Sequence, residues 1–264
     1  MSAGQGSAGE ESASAGQASA DEDSSSASQH RTSEGRASEG RASAGRDWAA
    51  WHEAYDDPGT PLARRLVAVQ ARITEALDQA PPGPLTAVSI CAGQGRDLIG
   101  VLRGHPRGGD VTARLVELDP RNADTARQFA AEAGLTQVEV VTGDAARAEA
   151  YAGLIPARLV LACGVFGNIT DEDVARTIRR CAGLCAVGGT VVWTRGRGEP
   201  DLIPQICEWF AAEGFELIGV SEPGTRWGVG AHRFAGTPRP LPAGEPMFSF
   251  VGYDVRRRVG GHAP

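Results

Sequence analysis

A chain of 264 residues with 41% hydrophobic residues and a net charge of −7 is sized for one ordinary domain plus extensions. All 26 basic residues are arginine, which excludes lysine Schiff-base chemistry and a Walker-type phosphate lysine. The acidic balance lacks a basic stripe and so speaks against a nucleic-acid partner, and no apolar run approaches the ~20 residues of a membrane span.

Residues 1–46 are almost entirely Ser, Ala, Gly, Glu, Asp, Gln and Arg, with no aromatic and no branched aliphatic side chain. Such a segment cannot bury enough apolar surface to offset the entropy of ordering, so a disordered low-complexity tail is expected. It shows neither the basic nor the apolar region of a signal peptide, and a cytoplasmic protein is expected. The five cysteines (Cys91, Cys163, Cys181, Cys185, Cys207) are odd in number and scattered, so free thiols are expected. No His or further Cys stands near Cys181 and Cys185 to complete a zinc site, and no metal is expected.

Order is expected from Asp47, an N-cap followed by Trp48, Trp51 and Tyr55 on one helical face with His52 adjacent. Asp56-Asp57-Pro58-Gly59 reads as a turn. Thr60 then caps a second helix with Pro61 at its first position. Leu62, Leu66, Val69, Ile73 and Leu77 form its apolar stripe, and Pro81-Pro82-Gly83-Pro84 stops it. Residues 47–84 are therefore expected to form a helical cap or lid on a domain spanning 85–264.

From Leu85 the pattern alternates. Strands are predicted at 86–90, 113–118, 138–141, 159–162 and 190–194, and helices at 97–102, 122–133, 171–182 and 202–212. This rhythm predicts an α/β fold with a doubly wound, mostly parallel sheet. Residues 215–220, 229–234 and 247–251 follow without helices between them, which predicts antiparallel strands at one end of the sheet.

Ligands in such a sheet sit beyond the carboxyl ends of the strands. The first strand ends in Cys91-Ala92-Gly93-Gln94-Gly95, a turn that gathers backbone N–H groups at a helix start. The second ends in Val116-Glu117-Leu118-Asp119-Pro120, with Glu117 lying 22 residues beyond Gly95. A carboxylate about 20 residues past the glycine turn is where a ribose diol is held. The third ends in Thr142-Gly143-Asp144-Ala145, and Asp144 can accept a hydrogen bond from an exocyclic adenine amine. A dinucleotide fingerprint would need a glycine at Leu98, so an NAD(P)-dependent oxidoreductase is the lesser reading.

The stretch from Leu85 to about Val220 resembles the class I S-adenosylmethionine-dependent methyltransferases. Val116-Glu117-Leu118-Asp119-Pro120 is similar to the family's second motif, which implies that Glu117, with Leu118 beside it, binds the ribose. Thr142-Gly143-Asp144-Ala145 is similar to the motif that holds adenine, so Asp144 and Ala145 take that role. The resemblance implies a Rossmann-like methyltransferase fold, a seven-stranded sheet whose last strand is antiparallel. It also implies S-adenosylmethionine as cofactor and in-line methyl transfer to a small-molecule substrate, the acceptor atom left open. A non-catalytic adenosylmethionine-binding protein is a further alternative.

The first motif departs from the family. The usual acid's position holds Ser89 and the first glycine's position holds Cys91, leaving Gly93 and Gly95. Ser89 can accept one hydrogen bond from the cofactor but carries no charge, so the methionine end needs another anchor, for which Tyr55, Asp97 and the backbone at Cys163-Gly164 are candidates. The substrate side is expected over the end of the fourth strand. That segment lacks the Asn/Asp-Pro-Pro-aromatic motif of many methyltransferases of nucleobase or glutamine nitrogens. Asn168 could orient a polar substrate group, Trp51 could supply an aromatic wall and Arg195 could hold an anion. His52, Tyr55 and His232 are the candidate catalytic groups, since imidazole titrates near neutrality.

Overall fold

The computed structural model describes residues 47–251; the tail expected over 1–46 lies outside the described residues. Seven strands form one sheet in the order β3-β2-β1-β4-β5-β7-β6. They are β1 (Leu85–Ile90), β2 (Val111–Glu117), β3 (Val138–Thr142), β4 (Ala157–Ala162), β5 (Cys185–Gly196), β6 (Phe215–Val220) and β7 (Trp227–Phe234). The first five run parallel, and β7 lies antiparallel between β5 and β6. Chain order reverses at β1, which pairs with β2 on one side and β4 on the other. In open α/β sheets such a reversal marks where ligands sit, beyond the carboxyl ends of the strands.

Local chemistry sets the helix starts. Thr60 caps α2 (Pro61–Asp78) by accepting from the Ala63 N–H at 3.1 Å, with Pro61 in the first turn. Asp119 caps α4 (Pro120–Glu132) through the Arg121 N–H at 2.9 Å. Thr170 caps α5 (Asp171–Leu184), whose first turn holds Asp171, Glu172 and Asp173 against the helix dipole. The other helices are α1 (Trp48–His52), continued by a 3-10 turn (Glu53–Tyr55), α3 (Leu98–Leu102) and α6 (Ile203–Ala212).

Alternation along the strands builds two core layers. Ala87 of β1 faces Val69, Ile73 and Leu77 of α2 together with Leu98 and Leu115. Val88 and Ile90 face the opposite layer, with Val160, Phe166, Ile178, Trp193 and Phe210. The region expected as one cap is thereby divided. α2 is a structural layer of the sheet, and α1 with its 3-10 turn lies toward the carboxyl rim.

The strand expected at 247–251 does not form. Met247 and Phe248 bury their side chains in the core, while side chains of α5 occupy the backbone groups. Arg176 Nε and Thr177 Oγ1 donate to the Met247 carbonyl, and the Ser249 N–H donates to Asp173 Oδ2 at 2.8 Å. The segment then reaches the rim, where the Val251 N–H donates to the Asn168 carbonyl at 2.8 Å.

His232, expected as a candidate base, is part of the core. It lies mid-strand in β7, opposite Val191, and is 1% exposed. Its ring stacks on Phe210 at 4.3 Å, and Nδ1 accepts from Trp193 Nε1–H at 3.1 Å. An imidazole sealed in the aromatic core cannot exchange protons with a substrate at the rim. Burial lowers its pKa from 6.5 to about 4. The folded state therefore holds it neutral where the unfolded chain protonates it, so stability falls as pH drops from about 6.5 toward 4. The slope is up to roughly 1.4 kcal/mol per pH unit from this group. We predict that His232→Phe flattens this slope in chemical denaturation across that range, even where the lost Trp193 bond lowers stability at neutral pH. An unchanged slope would contradict the assignment.

Candidate cofactor site at the carboxyl rim

The turn after β1 is shaped by three left-handed residues: Cys91 (φ 51°), Gly93 (φ 57°) and Gly95 (φ 66°). Cys91 is the one non-glycine residue with positive φ among the described residues, a conformation that costs about 1–2 kcal/mol for an L-residue. The backbone thus keeps the course a glycine would allow, although the residue is not glycine. At Gly95 a Cβ would lie 2.6 Å from Leu115 and 2.7 Å from Ile99, so glycine lets the turn close onto the sheet. Leu98, at the start of α3, is fully buried.

Glu117 ends β2 directly beside this turn. The Gly93 N–H donates to its Oε2 at 2.7 Å and the Asp119 N–H to its Oε1 at 2.9 Å. The residue is 9% exposed. Burial pushes its carboxyl up, and the two N–H bonds pull it back toward the ionised form. Leu118 next to it is 59% exposed, an apolar side chain left in water at the rim. At the end of β3, Asp144 Oδ1 accepts from the Ala146 N–H at 2.9 Å, and Oδ2 lies 3.5 Å from Arg147. Ala145 is buried, and its carbonyl accepts from Tyr151. Burial, then the charges of Glu117 and Asp144, hold the Cys91 thiol well above its ordinary value and therefore neutral.

α1 closes over the turn. His52 Nδ1 lies 2.6 Å from the Trp48 carbonyl, so Nδ1 must carry the proton and Nε2 presents a lone pair. Nε2 packs against Gly93, where a Cβ would come within 2.4 Å of it. Burial lowers the His52 pKa and keeps the ring neutral. Trp51 meets Trp48, His52 and Tyr55 edge to face at 5.2–5.8 Å. Arg96 ties this layer to the turn: it donates to Gln94 at 2.8 Å and to Asp56 at 2.6 Å, and its guanidinium lies 5.7 Å from the Tyr55 ring.

Tyr55 and Asp97 face a common region with Cys163. Arg65 Nη2 donates to the Tyr55 hydroxyl at 3.2 Å, and burial raises the Tyr55 pKa, so the phenol is protonated at neutral pH. Asp97 Oδ1 accepts from the Leu98 N–H at 2.8 Å. Burial pushes the Asp97 carboxyl up, opposed by that bond, by the Arg65 charge and by the Cys163 thiol. The Gly164 N–H donates to Thr194 Oγ1 at 2.7 Å, and Asn168 Nδ2 to the Gly164 carbonyl at 2.6 Å. Asn168 Oδ1 is buried without a partner.

Two expected site residues are placed elsewhere. Ser89 is 1% exposed within β1, between Leu115 and Leu161 across the ladder. Arg195 is 8% exposed and braces the turn after β4, donating to the Phe166 carbonyl at 2.6 Å and approaching Asp171 at 3.4 Å. It holds the chain rather than a substrate anion. Arg65, Arg96 and Thr194 contact the candidate residues without any motif to announce them; they become visible only once the elements around the rim are placed. Among the described residues no helix is long and apolar enough to cross a membrane, and no three metal-ligating side chains are grouped.

No protein-family model matches the sequence, and no curated protein matches it. Solved structures do share its fold. An O-methyltransferase family protein from Burkholderia thailandensis is similar at 20% identity and a TM-score of 0.56, over 75% of this chain and 60% of that one. An O-methyltransferase family 2 protein from Planctomyces limnophilus, in complex with apigenin, is similar at 16% identity and a TM-score of 0.51, over 70% of this chain and 61% of that one. The chain thus spans about 60% of the length of these two proteins. At such identities the likeness is one of fold, and the fold is the Rossmann-like methyltransferase fold.

The contact between His52 and Gly93 yields a prediction. Gly93→Ala places a methyl group inside contact distance of Nε2 at a left-handed residue, so α1 should lift. We expect a red-shifted tryptophan emission and a loss of roughly 1–3 kcal/mol of stability. Gly93→Ala with His52→Ala should recover part of that loss. Emission and melting unchanged in Gly93→Ala would show that α1 does not pack there.

Proposed function

We propose that this protein binds S-adenosylmethionine at the rim described above and transfers its methyl group to a small-molecule acceptor. The observation that carries this reading is the Glu117 carboxylate, held by two backbone N–H groups at the junction of the glycine turn and β2. A carboxylate has about four acceptor positions, and two are filled here, so two remain for the hydroxyls of a ribose diol. Leu118 offers exposed apolar surface for the purine, and Asp144 offers an acceptor for its amine. A pyrophosphate-binding dinucleotide fits less well, because the packed side chain of Leu98 fills the third position of that fingerprint.

When bound, the cofactor supplies a methyl group on a positively charged sulfur. The chain's own residues then have to orient, enclose and deprotonate. α1, with Trp51 and Tyr55, would exclude water from the rim. His52 is the base we assign, since it is neutral and its Nε2 lone pair faces the turn. Asn168 would hold the loop after β4 in place, because its Nδ2 is committed to the Gly164 carbonyl. The aromatic layer of α1 and the acidic chain favour a compact organic acceptor over a polyanion.

Calorimetric titration with S-adenosylhomocysteine tests the assignment. Glu117→Ala should weaken binding by about tenfold or more, equivalent to about 1.4 kcal/mol or more, and Asp144→Ala should weaken it to a lesser degree. Both variants should keep the far-ultraviolet circular dichroism of the parent. Affinity unaltered in both would overturn the reading.

A further inference from the structure

We propose that Asp97 and Arg65 together hold the amino-acid end of the cofactor, in place of the carboxylate that Ser89 lacks. This assignment rests on the adenosylmethionine reading above. Ser89 is uncharged and sealed within β1, so it cannot serve an ammonium group at the rim. Two opposite charges instead converge around Tyr55. Arg65 donates to the Tyr55 hydroxyl at 3.2 Å and lies 5.7 Å from the Trp51 ring, which orients its guanidinium. Among the described residues Arg65 joins no salt bridge within 4.0 Å, and neither does Asp97. Arg65 acts on the Asp97 carboxylate across a gap wider than a salt bridge.

Partly desolvated charges that remain apart are costly unless a ligand supplies their partners. An α-amino acid zwitterion supplies both at once. Its ammonium would pair with the Asp97 oxygen not used by the Leu98 N–H, replacing the weak contact of the Cys163 thiol, and its carboxylate would pair with the planar fork of Arg65. A ligand bearing only one of these charges would leave the other residue unmatched. Asp97 and Arg65 are thus positioning residues that select the amino-acid moiety, distinct from Glu117, which addresses the nucleoside.

The full-length protein is titrated with S-adenosylhomocysteine and with 5′-methylthioadenosine, which lacks the amino-acid moiety. The variants are Asp97→Ser, which keeps an oxygen for the Leu98 N–H, Arg65→Gln, and the charge-preserving Arg65→Lys. The wild type should bind adenosylhomocysteine about tenfold or more tightly than methylthioadenosine. Asp97→Ser and Arg65→Gln should each remove most of that preference while leaving methylthioadenosine affinity within about twofold, and Arg65→Lys should retain more of it. Equal weakening toward both nucleosides, or unchanged adenosylhomocysteine affinity in both variants, would overturn the assignment. A wild type that binds both nucleosides equally would defeat this assignment alone, and one that binds neither would defeat the cofactor reading with it.

Discussion

The buried carboxylate of Glu117 is the interaction on which the carboxyl rim depends. A carboxylate removed from water must be hydrogen-bonded or neutralised. Here two backbone N–H groups do this, one from the turn after β1 and one from the loop after β2. The same two bonds fix the separation of those loops, so in the proposed reading the geometry offered to a ribose is set before any ligand arrives. Preorganisation of this kind lowers the entropy lost on binding. It also explains why Gly93 matters twice: its left-handed φ aims its N–H at Glu117, and its missing side chain admits His52.

From that clamp the site extends in two directions. Toward β3, Leu118 and Asp144 present an apolar surface and an acceptor. Toward β4, Asp97, Arg65 and Tyr55 gather beneath α1 and present charge. In the proposed reading the first region receives the nucleoside and the second the amino acid, with His52 and the aromatic side chains of α1 above. Arg96 links the two, since it binds Gln94 of the turn and Asp56 behind α1 and lies over Tyr55. The chain retains the backbone course of a glycine-rich turn at Cys91 while its charges stand on different elements.

Much of this was legible in the sequence because it is written locally. Caps at Asp47 and Thr60, the short apolar runs of β1 and β4, and acids at successive strand ends all act within a few residues of themselves. Glu117 was expected from its spacing past the glycine turn and Asp144 from its place after the third strand, and both stand at the rim. What was not legible depends on partners distant in sequence. Residues 247–251 have the composition of a strand, but Asp173, Arg176 and Thr177 of α5 take their backbone groups. His232 could be read as a base until β7 was seen to place it against Phe210 and Trp193. Arg195 follows the apolar run of β5 as a rim arginine should, yet the Phe166 carbonyl claims it. Arg65 sits on a helix that reads as ordinary amphipathic packing, and nothing in its neighbourhood marks it apart from the other arginines.

The central claim is that the carboxyl rim beside Glu117 accepts an adenosyl amino acid rather than a dinucleotide. Thermal denaturation with saturating S-adenosylhomocysteine or NAD tests it most directly, because a ligand that binds only the folded state raises the melting temperature. The account predicts a clear rise with adenosylhomocysteine and none with NAD. A rise with NAD and none with adenosylhomocysteine would contradict it.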